Sequence, residues 1–294
     1  MKDRHFSGVG VALVTPFDEQ GAIDYAALDT LVEKQIADGV DFMCILGTTA
    51  ETPTLTTAER EALRRHLVRV IDARVPVLCG CGGNNTAAVC EELRTTDWTG
   101  VDAILSVTPA YNKPSQEGLY RHFEAIASAS PLPVFLYNVP GRTGVNMTAE
   151  TTLRLAHDFP NIVAVKEASG NVEQIDEILT HKPQGFSVFS GDDALTKPLV
   201  ERGAVGVISV VANAYPAVMK TLVTDTLTHR DESAQRLHVQ VQDLSRLLFG
   251  EGNPSGIKAL LASHGLVRNI LRFPLVPVSA VTQHHLADFA FLNS

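Results

Sequence analysis

Lys166 ends the run Ile162-Val163-Ala164-Val165-Lys166, and a continuous apolar segment of that length reads as a strand buried on both faces. An ammonium in such a place loses its hydration unless it is paired, so burial favours the neutral amine. An ordinary lysine, with a pKa of roughly 10.4, is almost wholly protonated at neutral pH. The neutral amine attacks carbonyl carbon, which is the chemistry of Schiff-base catalysis. The competing expectation is structural: a lysine that snorkels to solvent at the strand end, or one that pairs with adjacent Glu167.

Imine formation from a keto acid also needs a proton shuttle to expel water from the carbinolamine, and donors for the carboxylate. Residues of these types end the other apolar runs: Gly47-Thr48-Thr49-Ala50-Glu51, Thr108-Pro109-Ala110-Tyr111-Asn112, Tyr137-Asn138-Val139-Pro140-Gly141-Arg142, Ser190-Gly191-Asp192-Asp193 and Ile208-Ser209-Val210. Tyr137 can carry the proton. An isolated phenol is a poor base, so a hydroxyl relay through Thr48 toward Tyr111 would help it. Backbone N–H groups around Thr48 and Thr49 suit a small carboxylate, and Arg142 offers a planar fork to a second one. Taken singly each has an ordinary reading, with Tyr137 as core filler, Thr48-Thr49 as turn residues and Arg142 as a surface cation. Their convergence on one rim carries the argument.

The rim requires a particular fold. Apolar runs at 9–15, 42–46, 76–80, 102–107, 133–138, 161–166, 186–190 and 205–210 alternate with amphipathic segments at 25–39, 57–73, 86–96, 116–129, 148–158, 171–181 and 193–202. Thr56 with Glu59 reads as a capping box, and Ser115 and Thr148 sit where helices should start. Eight strands in strict βα alternation predict an α/β fold, a closed TIM (β/α)8 barrel, since open doubly wound sheets usually stop sooner. Chemistry in such a barrel sits at the carboxyl ends of the strands, where the polar residues above fall. Beyond residue 213 the spacing predicts helices at 216–229, 231–249, 254–263 and 279–291. The barrel requires only the first, so the expected division is a barrel over 1–230 and a helical C-terminal extension over 231–294.

With 294 residues, 45% hydrophobic and 19% charged, the composition is that of a globular enzyme rather than a disordered or fibrous chain. A net charge of -9 argues against nucleic acid as a partner, because phosphate binding needs clustered cations. No segment approaches a membrane span. The opening residues 1–6 are charged and lead into no export signal, so a cytoplasmic location is expected. Cys44, Cys79, Cys81 and Cys90 are then expected to be reduced bystanders, with Cys79 and Cys81 on one face of a strand. Neither the C-x-C nor His284-His285 has metal-site spacing, so no metal is expected.

Over nearly its whole length the chain resembles the dihydrodipicolinate synthase family of lysine-dependent pyruvate aldolases. The matching segments are Gly10 to Phe17, Gly47 to Glu51, Tyr137 to Gly144, Lys166 to Gly170, Ser190 to Asp193, Gly206 to Val210, and Asn253-Pro254 with Lys258. The resemblance implies condensation of pyruvate with L-aspartate 4-semialdehyde on the diaminopimelate and lysine route, without a cofactor. It also implies that Lys166 forms the Schiff base and that Tyr137, Thr48 and Tyr111 relay the proton. Thr49, Gly191 and Ile208 would line the pyruvate pocket, and Arg142 would hold the carboxylate of the semialdehyde. Tyr111 would enter from a neighbouring subunit of a homotetramer, a dimer of dimers. The alternative is a related aldolase such as N-acetylneuraminate lyase or a keto-deoxy sugar acid aldolase, and sialic-acid lyases typically lack the arginine found here at Arg142. A catalytically silent barrel would be expected to have lost Lys166 or Tyr137.

The chain departs from the family in places. Ala50 replaces a common glycine, a change between small residues that leaves the pocket open. Ala110 and Ala88 stand where feedback-regulated members carry a tyrosine and an acid, and Thr57 and Arg60 where sensitive bacterial enzymes often carry histidines. Asn84 is retained. Inhibition by lysine is therefore expected to be weak or absent.

Overall fold

A computed structural model describes residues 6–291; the charged residues 1–5 and residues 292–294 lie outside it. Eight parallel strands, β1 (Gly8–Ala12), β2 (Phe42–Ile45), β3 (Val77–Gly80), β4 (Ala103–Val107), β5 (Val134–Asn138), β6 (Ile162–Glu167), β7 (Ser187–Ser190) and β8 (Gly206–Ser209), form a barrel in sequence order. It closes where β1 pairs with β8, from Gly8 opposite Gly206 to Val11 opposite Ser209. Phe42, Phe135 and Phe189 fill the interior, and Phe6 packs on the first two with ring centroids 5.1 Å apart. Gly10 makes this possible, because a Cβ there would lie 2.2 Å from the Phe42 ring.

The helices α1 (Tyr25–Ala37), α2 (Thr57–Ile71), α3 (Thr86–Thr95) and α4 (Gln116–Ala129) follow the first four strands. After β5 comes one turn, α5 (Pro140–Thr143), and then α6 (Ala149–Asp158); α7 (Val172–His181), α8 (Thr196–Glu201) and α9 (Pro216–Leu227) complete the outer layer. Thr56 and Glu59 form the expected reciprocal capping box on α2, and the Ser115 and Thr148 side chains cap α4 and α6. Beyond α9 lie α10 (Asp231–Gly250), α11 (Ser255–Ser263) and α12 (Ala280–Ala287), the helical C-terminal elements.

The elements depart from the sequence pattern where backbone groups find non-local partners. The first apolar run continues to Thr15, but β1 stops at Ala12 because the following segment bonds to other loops: Val14 N–H donates to Asn213 Oδ1 at 3.1 Å and Thr15 Oγ1 to the Ala50 carbonyl at 2.8 Å. The segment expected as one helix at 193–202 is a 3-10 turn followed by α8, and the last helix ends at Ala287 rather than 291. The expectation had no helix at α5, whose Pro140 sits at a helix start.

Candidate active site

Lys166 lies at the end of β6 with Tyr137 of β5 and Phe189 of β7 as its register partners. Parallel partners in register project to the same face, which brings the Tyr137 ring centroid within 4.6 Å of Lys166 Nζ. Lys166 is 6% exposed and, among the described residues, has no carboxylate partner. Adjacent Glu167 does not pair with it. That buried carboxylate accepts from Asn138 Nδ2 at 3.1 Å, Ser169 N–H at 2.8 Å and Gln174 Nε2 at 3.3 Å, and burial holds its pKa above the usual carboxylate value.

A cavity of about 530 Å³ opens at this carboxyl face, lined by Lys166, Tyr137, Thr48, Thr49, Arg142 and Gly191. Thr48 and Thr49 form a 3-10 turn after β2, and Arg142 sits in α5. Gly191 lies close behind Lys166. A Cβ there would sit 3.1 Å from Lys166 Cε and 2.7 Å from the Ala168 Cβ, so the glycine leaves room for the lysine chain. The other two predicted residues are elsewhere. Ile208 is 1% exposed in β8 opposite Gly10 and does not line the cavity, whereas Val210 does. Tyr111 is 91% exposed, at a left-handed φ of 72°, and lies outside the cavity of its own chain. Among the described residues no hydrogen bond joins the Tyr137 hydroxyl to Thr48 or Tyr111.

Several lining residues were not singled out from sequence. Cys44, expected to be a bystander, forms part of the wall, and burial pushes its thiol up to about 11 against the opposing charge of Lys166. Cys79, Cys81 and Cys90 are buried without disulfides, with Cys81 just beyond β3. Asp193 is wholly buried and pushed up to about 6 by desolvation; it accepts from Ser209 Oγ and from the N–H groups of Val210 and Val211, which fixes the chain leaving β8. From the C-terminal elements come Gln242, Ser245, Arg246 and Phe249, on one face of α10, and Asn253. The i, i+3, i+4, i+7 spacing of the α10 residues is visible in the sequence, but it does not say what that face covers.

Asn253 and Lys258 tie the extension to the Thr48-Thr49 turn. Asn253 Nδ2 donates to Thr49 Oγ1 at 3.0 Å, and the Asn253 carbonyl accepts from Arg142 Nη2 at 3.3 Å. Lys258, fully buried in α11, pairs with Glu51, which holds a left-handed φ of 55°. Burial lowers the Lys258 amine to about 8, opposed by the Glu51 charge. The other Glu51 oxygen accepts from Arg272 N–H at 3.0 Å.

Known proteins resemble this chain over nearly its whole length. The profile of the Dihydrodipicolinate synthetase family matches residues 5–290. The chain is 53% identical over 282 residues to 4-hydroxy-tetrahydrodipicolinate synthase of Phocaeicola vulgatus, covering 96% of this chain and 95% of that one. It superposes on the crystal structure of a dihydrodipicolinate synthase from Bacillus anthracis with a TM-score of 0.93 and 41% identity, over 96% of this chain and 97% of the other. A monomeric dihydrodipicolinate synthase variant superposes with a TM-score of 0.92 and 40% identity, over 96% and 94% of the two chains. Matches of this extent reach beyond the barrel to the extension that holds Asn253 and Lys258, and on them the chain belongs to the dihydrodipicolinate synthetase family.

Proposed function

We propose that this cavity condenses pyruvate with L-aspartate 4-semialdehyde to 4-hydroxy-tetrahydrodipicolinate, in the pathway to diaminopimelate and lysine, with Lys166 as the amine that forms the Schiff base. The observation that carries the reading is a buried lysine without a carboxylate partner among the described residues, facing a cavity beside a tyrosine. In the proposed sequence the neutral amine adds to C2 of pyruvate, and protonation of the carbinolamine oxygen lets water leave. Loss of a C3 proton gives an enamine, whose carbon attacks the aldehyde. The semialdehyde's own amine then adds to C2 and displaces Lys166, closing the ring. One water is released per turnover and the enzyme is regenerated.

Tyr137, Thr48 and Tyr111 carry the proton in this reading. Thr49 receives the pyruvate carboxylate, Gly191 forms part of the wall of that pocket with Ile208 packed behind it, and Arg142 receives the carboxylate of the semialdehyde. The place of Arg142 on the cavity supports an acidic acceptor over a sugar aldehyde. Tyr111 completes the relay of a second copy, and its exposure on a left-handed backbone supports that role. The proposed assembly is a homotetramer built as a dimer of dimers, working in the cytoplasm. Among the described residues no helix is long and apolar enough to cross a membrane. The division at residue 230 belongs to the same proposal, with the helices beyond it serving the barrel's site.

Borohydride reduction in the presence of pyruvate tests the reading, together with rates on aspartate semialdehyde, N-acetylmannosamine and sugar aldehydes. A stable adduct on the peptide carrying Lys166 and turnover of the semialdehyde are expected. Turnover of a sugar aldehyde alone would transfer the site to the lyase or sugar acid aldolase branch.

A further inference from the structure

We infer that the side-chain amide of Asn253 is a positioning residue, which acts by making the Thr49 hydroxyl a donor to the carboxylate of the keto acid. The inference rests on the proposed binding of pyruvate at the Thr48-Thr49 turn and goes further by assigning part of that subsite to the C-terminal extension.

A hydroxyl has one proton and two lone pairs. The Asn253 Nδ2 donor, 3.0 Å away, occupies a lone pair of Thr49 Oγ1. Thr49 is 2% exposed, lines the cavity, and its hydroxyl has no acceptor among the described residues. Its proton is therefore left for an acceptor in the cavity, and a carboxylate is the strongest acceptor a keto acid brings. Among the described residues the Oδ1 of Asn253 is buried without a partner, so the amide's only side-chain hydrogen bond there is the one to Thr49. The backbone of the same residue serves the other side of the cavity, because its carbonyl accepts from Arg142. Two residues beyond Thr49, the Glu51–Lys258 pair fastens the same turn to α11. The turn is held at two points by the extension, and Asn253 is the point that touches a lining hydroxyl.

Asn253→Ala removes the amide and leaves the carbonyl that holds Arg142. It should raise the half-saturating pyruvate concentration about tenfold, the scale of one hydrogen bond to a charged group, while kcat at saturating pyruvate falls much less. In a Thr49→Val background, where the hydroxyl is gone, the same substitution should change the pyruvate requirement no further; in Thr49→Ser, which keeps the hydroxyl, the tenfold cost should return. Asn253→Ser serves the same cycle if the alanine variant does not fold. An equal cost in the Thr49→Val background would show that Asn253 acts structurally and overturn the inference. Tighter pyruvate binding in Asn253→Ala would mean that the amide is reversed and withdraws the proton, which overturns it as well. Pyruvate trapping on the unsubstituted enzyme separates the two levels. Trapping on Lys166 with no effect of Asn253→Ala removes this inference alone, and no trapping on Lys166 removes the proposed reaction and the inference with it.

Discussion

Two lysines are buried among the described residues, and their surroundings divide their roles. Lys258 is fully enclosed, paired with Glu51, donating to the Ile270 carbonyl at 2.9 Å and lying 4.1 Å from the Phe17 ring centroid. Lys166 has a tyrosine ring, a cavity and, among the described residues, no carboxylate. A buried amine with a counter-ion and a carbonyl is held as an ammonium and has no room for a substrate. An unpaired amine that faces open volume can reach a carbonyl carbon. Burial of a lysine in an apolar setting is thus not the sign of chemistry; the missing partner and the adjacent space are.

The sharpest way to break this comparison is to remove each amine. Lys166→Ala should abolish pyruvate trapping and lower turnover at least about a thousandfold, the scale seen when a covalent nucleophile is lost. A pyruvate adduct on Lys258 or Lys197 would reverse the assignment.

Lys258→Met strands the Glu51 carboxylate in the interior and should cost about 3–5 kcal/mol of stability in urea unfolding. Adding Glu51→Gln removes the stranded charge and should recover part of that loss. If the double variant were as unstable as the single one, the pair would not be the source of the effect. Trapping on Lys166 should survive in whichever of these variants folds.

Arg142→Ala should cut kcat/KM for aspartate semialdehyde about tenfold or more, since Arg142 is exposed on the cavity and a hydrogen bond to a charged group contributes about 1.5–3 kcal/mol. Pyruvate should still be trapped. Equal loss of trapping would show that Arg142 supports the fold of the cavity rather than the second substrate.

Smaller effects probe the parts that a single chain leaves open. Tyr111→Phe and Lys166→Ala subunits, each nearly inactive, should regain some turnover when mixed and exchanged, because hybrids contain a site with both groups intact. Verified hybrids without recovery would count against a shared relay. The smallest expected effect is that of free lysine. Ala88 supplies no carboxylate and Ala110 no aromatic wall, and an unpaired buried ammonium loses more than about a hundredfold in affinity. An inhibition curve at subsaturating pyruvate should show half-inhibition only above about a millimolar; sensitivity below that would mean that another acid, such as Glu91 or Glu92, has taken the role.

Local pattern determined most of the barrel. Alternation of apolar runs with helical periods, and caps such as Thr56 with Glu59, depend on neighbours a few residues away, so the strands and helices were legible in the sequence to within a few residues. Lys166 and Tyr137 were legible as strand-end residues for the same reason. Tertiary structure decided what each side chain meets. Thr49 finds Asn253 across 204 residues and Glu51 finds Lys258 across 207, contacts that exist only once the barrel has closed and the extension has docked on its carboxyl face. No local period encodes that docking. The fates of Ile208 behind the wall and of Tyr111 in solvent were decided in the same way, because residue type and strand-end position do not specify direction. Lys166 and Lys258 are the same residue type in apolar stretches of one chain, and only the assembled interior gave one a counter-ion and the other a cavity.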